Sequence, residues 1–595
     1  MACAARWAVG ASKPYLHVMV NTRDVVAALQ ELAELTVLEE GSPQSFKVRA
    51  YENAISGIRG QGGDVTRMSK SQLTEIKGVG SSTADKILQF VETGSIDKLD
   101  RLRESYPPDF VRLSKIPGIG PKTLELMRRE LGIENLDQLQ QAIADERLRD
   151  LPGLGKTSEE KIARAIDRLG LHGKDRRTPI ADALPIARRL VSELEQLPGV
   201  ERVEYCGSLR RHSETVGDID ITVAGTDPIP VMSFVAEHPM ASSVIGHGDT
   251  KTSILDREGL QIDVRVVAPE QFGAAIMYFT GSKAHNIALR QRAIDRGRLL
   301  NEYGLFDADT DEVIARETEE EIYSALDLAF IPPVVRENTG EVEAAAEGLL
   351  PDFVTIDDIR GDLHYHTDLS GDGESSLEDM VSAASDRGYS YIAITDHGED
   401  LAINGSSRDE MRAHRDAIRA LQEDYPDLRI LFGCELNIGP DGSLDYDAEF
   451  RSEFEWTVAS IHSHFDLSPE EQTVRLITAI SDPSVNAIGH LSGRYIGRRP
   501  GIEFDADSVI EALSIADVGL EVNGALERLD ADSDLIRRAV RAGVRLVIST
   551  DSHHVSELHR MRYGVLQAQR GWASKADVAN TMPTGDFLEW VEARR

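Results

Sequence analysis

The segment Gly207–Asp220 combines a glycine-serine turn with two aspartates separated by one apolar residue. Side chains at positions i and i+2 of a β-strand point to the same face, so Asp218 and Asp220 are expected to direct two carboxylates at one point. The alternating segment Gln261–Val267 predicts a neighbouring strand that supplies Asp263. Three carboxylates can hold two divalent cations about 4 Å apart, which activates an attacking 3′-hydroxyl and neutralises departing pyrophosphate. Oxygen ligands favour Mg²⁺, so the segment predicts nucleotidyl transfer.

Further polar residues lie within this pattern and after it. Gly207-Ser208 forms the turn, and Arg211 follows it with a guanidinium that can bind phosphate oxygens through two parallel N–H groups. The segment Tyr278–Ser282 opens a predicted helix that carries Asn286 and Arg290 on neighbouring turns.

A second group of polar residues recurs at the ends of predicted strands after Arg360. Apolar strand candidates alternate with helical stretches, and the strands fall near 361–366, 391–396, 429–437, 456–461, 485–490, 518–523 and 545–550. Seven β/α units favour a parallel barrel, whose active site lies at the carboxyl ends of the strands. Nine imidazoles and carboxylates would meet there: His364, His366, Asp372, His397, Glu435, His462, His490, Asp551 and His553. Such ligands, without thiolates, predict two or three ions of Mn²⁺, Zn²⁺ or Fe²⁺ and hydrolysis of phosphoesters.

Three short segments near the amino terminus repeat the pattern apolar-x-Gly-apolar-Gly before a predicted helix. They are 76–81, 116–121 and 151–156, and their glycines are Gly78, Gly80, Gly118, Gly120, Gly153 and Gly155. Glycine permits tight turns, and the free N–H groups at a helix start bind phosphate. Because such contacts ignore base sequence, the repeats predict binding to the DNA backbone.

Composition is that of a globular protein of several domains, with 595 residues, 41% hydrophobic and 28% charged. The formal net charge is −36, but residues 1–175 hold 25 basic and 25 acidic side chains, so all the excess acid lies further on. A DNA contact surface is therefore expected first in the amino-terminal part. Three scattered cysteines argue against a disulfide framework and a thiolate zinc site, and fit a reducing cytosol. No apolar run approaches the ~20 residues that a membrane span needs.

With these motifs, the chain resembles a bacterial or archaeal family X DNA polymerase with a carboxyl-terminal polymerase-and-histidinol-phosphatase (PHP) domain. The resemblance rests on the Gly-Ser…Gly-Asp-x-Asp segment, on Tyr278–Ser282 and on the ligand series from His364 to His553. It implies a multidomain fold: an α-helical helix-hairpin-helix amino-terminal region, an α+β nucleotidyltransferase palm with a thumb, and a carboxyl-terminal (β/α)7 PHP barrel.

The resemblance also implies roles for individual residues. The palm metal ligands would be Asp218, Asp220 and Asp263, and the nucleotide-binding residues would be Gly207, Ser208, Arg211, Gly217, Tyr278, Phe279, Gly281, Asn286 and Arg290. The nine barrel residues would bind metal, with Arg494 on the scissile phosphate. Lys47 and Tyr51 match a 5′-phosphate site. Lys86 falls where some relatives form a Schiff base with an abasic sugar, but a neighbouring positive position is Ser82 here, so a lyase nucleophile and a solvated lysine both stay open.

The expected boundaries follow from the motifs and the resemblance. They are a disordered extension at 1–18, a gap-binding, lyase-like domain at 19–105, a helical DNA-binding subdomain at 106–178, the palm at 179–270, the thumb at 271–335, a linker at 336–355, the PHP domain at 356–575 and a tail at 576–595.

Together these observations predict a repair enzyme that fills short DNA gaps from deoxynucleoside triphosphates with two Mg²⁺. The barrel would hold two to three Mn²⁺ or Zn²⁺ ions and act as a 3′→5′ exonuclease, with abasic-site or 3′-phosphate cleavage as further activities. We expect a cytoplasmic, nucleoid-associated monomer. Two alternatives remain: an enzyme acting on small substrates such as histidinol phosphate, and a DNA-end scaffold whose polymerase site is idle.

Overall fold

The structure is a computed structural model that describes residues 22–42, 45–59, 65–114, 116, 118–168, 177–401 and 404–593. The predicted extension at 1–18 and Pro117 of the second glycine repeat lie outside these residues. The chain forms two compact units, residues 1–163 and 164–595. Among the described residues, no helix has the length and apolar character needed to cross a bilayer.

The first unit is helical, as the glycine repeats predict. Its helices are α1 (Thr22–Glu40), α2 (Phe46–Arg59), α3 (Lys70–Glu75), α4 (Ser81–Thr93), α5 (Asp97–Ser105), α6 (Pro108–Leu113), α7 (Pro121–Leu131), α8 (Leu136–Ala144) and α9 (Lys156–Arg168). Helices α4 and α7 start directly after Gly80 and Gly120 and end at the left-handed residues Gly94 and Gly132. Glycine is favoured at such ends because it has no Cβ to clash there.

The second unit opens with a mixed sheet that corresponds to the expected palm. Its elements are β1 (Thr178–Pro179), α10 (Ile180–Leu194), β2 (Val200–Tyr205), α11 (Gly207–Arg210), β3 (Thr215–Val216), β4 (Asp218–Gly225), α12 (Ile229–Ala236), β5 (Ser243–His247), β6 (Lys251–Leu255) and β7 (Gln261–Val267). The five-stranded palm sheet has the order β2-β4-β7-β6-β5, and β4 pairs with β7 in parallel. The apolar residues that alternate with the aspartates of β4 and β7 are buried against α10 and α12.

The next region corresponds to the expected thumb. Its elements are α13 (Phe272–Thr280), α14 (Lys283–Ile294), β8 (Arg298–Asn301), β9 (Gly304–Asp307), β10 (Val313–Ala315), α15 (Glu319–Ala325) and α16 (Glu341–Glu347). Residues 336–355 were expected as a linker, but Val342 and Ala345 of α16 pack into the core of this region. Glu341 is fully buried beside His285, so α16 is part of the folded core of this region.

The carboxyl-terminal part is a barrel of seven parallel strands. The strands are β11 (Gly361–Tyr365), β12 (Tyr391–Ile394), β13 (Arg429–Asn437), β14 (Trp456–Ser460), β15 (Ala487–Gly489), β16 (Gly519–Asn523) and β17 (Leu546–Ser549). Neighbours in the sheet follow chain order, and a parallel bridge from Tyr365 to Ser552 brings the end of the last strand against the first. The predicted multidomain fold, with its (β/α)7 barrel, is confirmed.

The barrel helices cover this sheet and close one of its ends. They are α17 (Leu377–Asp386), α18 (Arg408–Gln422), α19 (Ala448–Arg451), α20 (Pro469–Ile480), α21 (Ala506–Ala516), α22 (Ser533–Arg541), α23 (Met561–Arg570) and α24 (Thr584–Ala593). Helix α24 lies in the expected tail, yet its Phe587 stacks on Tyr391 with ring centroids 4.4 Å apart. Tyr391 begins β12, so α24 caps the amino ends of the strands and leaves the carboxyl ends for chemistry.

Candidate active sites

Two neighbouring strands of the palm sheet bring three aspartates together. In the parallel pairing of β4 with β7, Asp220 lies directly opposite Asp263. Asp218 precedes Asp220 by two residues, so all three side chains lie on one face of the sheet. Asp263 is buried and the other two are half-buried. The structure thus assembles the carboxylate group expected from the alternating pattern.

The glycine-serine turn lies against this group. Gly207 has a φ of +63°, and a Cβ added there would lie 3.0 Å from Oδ2 of Asp220. An L-residue would be strained by that φ and would press on the carboxylate, whereas glycine avoids both problems. Glycine at position 207 therefore allows the turn to close over Asp220 and to place Ser208 beside it.

Crowding of the three carboxylates controls their ionisation. Burial, together with the charges of Asp218 and Asp263, raises the pKa of Asp220 to about 7. Burial and the charge of Asp263 also raise the pKa of Asp218. Such a group carries excess negative charge, and its hard oxygen donors fit divalent cations such as Mg²⁺.

Two residues that the sequence analysis did not single out hold Asp263. Lys251 Nζ lies 2.6 Å from Asp263 Oδ2, and Gln261 donates to Oδ1 at 2.9 Å. Burial alone would raise the pKa of Asp263, but these hydrogen bonds lower it. Lys251 is one of only three lysines after residue 175 of the sequence, and Lys283, another of them, also lies at this site. The scarcity of lysines in this acidic part of the sequence was the feature that could have pointed to Lys251 and Lys283.

A cavity of about 490 Å³ opens beside Asp218 and Asp220. All nine residues expected at a nucleotide site line it: Gly207, Ser208, Arg211, Gly217, Tyr278, Phe279, Gly281, Asn286 and Arg290. Sequence reasoning missed three further lining residues, Arg177, Thr280 and Lys283. With two more cations than expected, the cavity suits a polyanionic ligand.

Internal hydrogen bonds order the polar side chains of this cavity. Arg211 donates from Nε to Glu337 at 3.0 Å and from its terminal nitrogen to the Thr280 carbonyl. Asn286 donates to the Tyr278 carbonyl at 2.7 Å. These bonds fix the side chains before any ligand arrives, which reduces the entropy that binding would cost.

The carboxyl ends of the barrel strands assemble the second site around Glu435. Its two carboxylate oxygens lie within 2.9–3.5 Å of five imidazoles, those of His364, His366, His397, His462 and His490. Glu435 itself is buried. One carboxylate of β13 therefore connects imidazoles from the ends of four other strands.

Two further carboxylates complete the nine-residue cluster. Asp551 Oδ1 lies 3.4 Å from His366 Nε2, and Asp372 Oδ2 lies 3.6 Å from Nε2 of both His397 and His553. Three overlapping triads have donor atoms within 4.8 Å of one another: His366, His397 and His553; His364, His366 and Asp551; and His397, Glu435 and His462. The structure brings all nine predicted ligands together.

Unsatisfied donor atoms show that these residues fit metal ions. Nε2 of His364, Nε2 of His366 and Oε2 of Glu435 are buried without a hydrogen-bond partner, an arrangement that costs free energy unless a ligand satisfies it. Burial would raise the pKa of Glu435, but the imidazoles of His462, His364 and His397 hold it well below its usual range. The cluster thus offers ionised carboxylate and imidazole donors, and no thiolate, to two or three cations.

Outer residues hold the ligands in place. Glu521 accepts from His364 Nδ1 at 2.6 Å, which presents Nε2 to the cluster. Asn523 donates to Asp551 Oδ2 at 3.1 Å. Both residues lie on β16, the one predicted strand for which the sequence analysis named no polar residue. The absence of a named polar residue on this strand was the feature of the sequence that could have pointed to Glu521 and Asn523.

Arg494 does not lie where the resemblance implied. Its guanidinium contacts Glu214 at 2.7 and 3.1 Å and the carbonyls of Arg528 and Leu529, so it ties the barrel to the palm. Arg528 instead lies at the nine-residue cluster, with Nε 3.7 Å from Asp551 Oδ2. Its guanidinium carbon lies 4.5 Å from the ring centroid of Tyr495. Loop conformation between β16 and α22 directs the second arginine, not the first, to the cluster.

The glycine repeats of the first unit have one shared backbone form. The first glycine of each, at Gly78, Gly118 and Gly153, has a φ between +84° and +93°. Gly80 and Gly120 then cap α4 and α7 without a side-chain hydrogen bond, so these helix starts present main-chain N–H groups. Gly155 directly precedes α9 in the same way. This geometry suits phosphate binding.

The remaining predicted residues of the first unit, Lys47, Tyr51 and Lys86, lie on α2 and α4. Lys47 pairs with Glu40 at 2.5 Å, and Tyr51 is buried. Lys86 donates to Ser82 Oγ at 2.8 Å, and its pKa is lowered by burial and by the charge of Lys98. A lowered pKa is what a Schiff-base lysine requires, and the lyase role of Lys86 stays a prediction.

Comparison with known families agrees with this architecture. The chain matches the helix-hairpin-helix domain over residues 21–96, the SAM-like helix-hairpin-helix tandem over 110–168, the DNA polymerase beta thumb over 275–337 and the PHP domain over 362–525. Fold and sites therefore define a protein that joins a polymerase of the beta type to a PHP phosphoesterase barrel.

Individual relatives narrow this class. The chain is 35% identical over 576 residues to the DNA polymerase/3′-5′ exonuclease PolX of Bacillus subtilis, covering 96% of this chain and 100% of the relative. It is 24% identical over 330 residues to DNA polymerase lambda of Rattus norvegicus, covering 49% of this chain and 52% of the relative. It is 30% identical over 208 residues to a probable phosphatase of Acetivibrio thermocellus, covering 33% of this chain and 81% of that relative. The chain belongs to the family X DNA polymerases that carry a carboxyl-terminal PHP domain.

Proposed function

We propose that the chain fills short gaps in DNA during repair and trims 3′ ends as a metal-dependent 3′→5′ exonuclease. The observation that carries the proposal is the presence of two sites in one compact unit: three aspartates beside a nucleotide-sized cavity, and a nine-ligand cluster at a barrel mouth. The first suits bond formation at a 3′-hydroxyl and the second suits hydrolysis of the same kind of bond.

In the synthetic site, Asp218, Asp220 and Asp263 would hold two Mg²⁺ ions, which lower the pKa of the 3′-hydroxyl and neutralise the leaving pyrophosphate. Ser208 and Arg211, with Gly207 and Gly217 around them, would bind the triphosphate. Tyr278, Phe279 and Gly281 would pack against the sugar, and Asn286 and Arg290 would lie near the nascent base pair and template. We assign Arg177 and Lys283, which line the same cavity, to the triphosphate as well.

In the hydrolytic site, the nine ligands would hold two or three Mn²⁺ or Zn²⁺ ions, which activate water for attack on a phosphodiester. With three carboxylates among the ligands, two or more divalent cations leave a net positive charge that favours an anionic substrate. We propose that Arg528 binds the scissile phosphate and that Tyr495, beneath its guanidinium, holds it in place. Arg494 has no part in this step.

The first unit would hold the DNA backbone through the helix starts at Gly80, Gly120 and Gly155, independently of base sequence. Lys47 and Tyr51 would lie at the 5′-phosphate of a gap. We further propose that the chain acts as a monomer, since each site takes all its residues from one chain, and that it works in the cytoplasm at the nucleoid, where its DNA substrate lies.

The deciding experiment uses a gapped duplex whose 3′ terminus is mismatched. With Mn²⁺ alone, we expect removal of the mismatched nucleotide; with Mn²⁺ and nucleotides, we expect removal followed by filling of the gap. Hydrolysis of histidinol phosphate without action on DNA would favour the small-substrate alternative. Binding to the gap without extension or trimming would favour the idle scaffold.

Replacing Arg528 with alanine is expected to lower kcat/KM of the nuclease about 100-fold, because one charge-assisted contact to the reacting phosphate is lost. The measurement is the rate of 3′ nucleotide release from single-stranded DNA with Mn²⁺. Arg498→Ala is the control, since Arg498 is an exposed arginine of a neighbouring loop. Equal rates for wild type and Arg528→Ala would exclude Arg528 from the phosphate site.

A further inference from the structure

One helix of the PHP barrel reaches the nucleotide cavity of the palm. Arg570, the last residue of α23, donates to the main-chain carbonyl of Arg211 and lies 3.5 Å from Glu337 Oε1. Arg211 donates from Nε to the same oxygen of Glu337 at 3.0 Å. Arg570 thus holds the cavity-lining Arg211 through its main-chain carbonyl, and Glu337 holds it through its guanidinium.

The chain around Arg211 depends on the barrel for its conformation. His212 has a φ of +55°, a left-handed conformation that costs free energy for a residue with a Cβ. Its ring is buried and stacks on Tyr563 of α23, with centroids 6.0 Å apart. Two residues on, Glu214 is paired with Arg494 of the barrel. The turn after Arg211 is therefore fixed at three successive points by side chains of the barrel.

Apolar contacts also join the barrel to the palm near Arg211. Leu529 and Tyr563 of the barrel are buried members of the palm core, together with Leu209 of α11. Arg188 of α10 donates to the Tyr563 hydroxyl. Because a packed core transmits displacement rather than absorbing it, α23 and the segment of Arg211 are expected to move as one body.

Burial of the Arg570 guanidinium costs free energy, and packing alone does not explain why an arginine occupies this position. It is 12% exposed, and its Nε is buried without a hydrogen-bond partner. An incompletely satisfied buried guanidinium destabilises the fold. A leucine or methionine would fill such a position without that cost, so the contact of Arg570 with Arg211 and Glu337 is the feature that the arginine provides.

We propose that Arg570 is a positioning residue of the polymerase: through Glu337 and the Arg211 carbonyl it holds the Arg211 guanidinium toward the triphosphate of the incoming nucleotide. The PHP barrel is thereby a structural part of the nucleotide site. This inference rests on the proposed function of the cavity. It concerns the binding of nucleotide, so the chemical step and the nuclease do not depend on Arg570.

The test is single-nucleotide insertion into a one-nucleotide gap by the full chain, with KM and kcat measured separately. Arg570→Ala is expected to raise KM for the nucleotide about tenfold with kcat changed less than about threefold; tenfold corresponds to about 1.4 kcal/mol. Nuclease rates on the same protein should equal those of the wild type. Arg541→Ala is the matched control, because Arg541 is the exposed last residue of the barrel helix α22.

Two additional variants separate positioning from a general loss of structure. If Arg570 acts through Arg211, Arg211→Ala combined with Arg570→Ala should raise KM no more than Arg211→Ala alone. Glu337→Gln keeps both arginines in the chain but removes the acceptor charge that they share, so it should reproduce the KM shift even if Arg570→Ala folds poorly.

The inference is overturned if Arg570→Ala and Glu337→Gln both insert with wild-type KM, or if the effects of Arg570→Ala and Arg211→Ala simply add. A wild-type chain that inserts no nucleotide would instead overturn the proposed function of the cavity. The two failures are therefore distinguishable.

Discussion

Asp220→Asn should abolish gap filling while the nuclease keeps its wild-type rate. Asp220 lies opposite Asp263 and two residues from Asp218, so it is the central carboxylate of the group. Its loss removes an oxygen donor from the cations that stabilise the reacting phosphate. We expect a fall in kcat of about 10³-fold, at the upper end of what removal of one electrostatic group costs.

The asparagine variant should fold at least as well as the wild type. Burial and two neighbouring aspartates raise the pKa of Asp220 to about 7, which means that its charge is disfavoured in the folded chain without metal. A carboxyl whose pKa is raised on folding makes the fold lose stability as the pH rises from its ordinary pKa of 3.8 to the raised value, and the full cost is present above about pH 7. Asparagine relieves this repulsion, so the unfolding midpoint at pH 8 without metal is expected to rise or to stay unchanged.

Primer extension on gapped DNA and nucleotide release with Mn²⁺ are the paired measurements for Asp220→Asn. Glu201→Gln serves as the control, since Glu201 is an exposed carboxylate of β2 in the same sheet. Loss of both activities in Asp220→Asn would mean that one site serves synthesis and hydrolysis, contrary to the two-site arrangement.

Glu435→Gln should have the opposite effect, with nuclease activity reduced about 10³-fold or more and gap filling retained. Glu435 is the carboxylate closest to five imidazoles, and its burial leaves no water to replace its charge. Glutamine keeps the volume but lacks the charge that holds cations among the imidazoles. We therefore expect the number of metal ions bound per chain to fall together with the nuclease rate.

Metal analysis of the purified protein supplies a readout for Glu435→Gln that does not depend on activity. Glu511→Gln, an exposed carboxylate of α21, should leave both metal content and hydrolysis unchanged. Full nuclease activity with an unchanged metal count would show that Glu435 is not a ligand.

The barrel and the clustering of nine polar side chains at its mouth could be predicted because each depends on short stretches of sequence. Strands buried on both faces leave continuous apolar runs, and the predicted run 429–437 coincides with β13. The barrel geometry then places every polar residue at a carboxyl strand end in one mouth, so Glu435 needed no knowledge of the loops.

Other features depend on contacts between residues that are distant in the chain, and they could not be predicted from short stretches of sequence. Nothing in the spacing of Arg494 and Arg528 tells which of them the loops direct to the cluster. Lys251 reaches Asp263 from a neighbouring antiparallel strand. The helix α16 buries only a narrow apolar face at Val342 and Ala345, so its glutamates and alanines resemble a linker.

The sharing of Leu529 and Tyr563 between barrel and palm limits how this chain could be divided. Both side chains complete the palm core from beyond residue 500. A fragment ending before the barrel would expose apolar surface on α10 and lose the partners of His212 and Glu214. Evolution by simple exchange of the barrel for another enzyme would meet the same obstacle, because any replacement would have to restore that surface. Synthesis and hydrolysis are chemically separate here, yet the residues for both lie in one compact unit with a shared core.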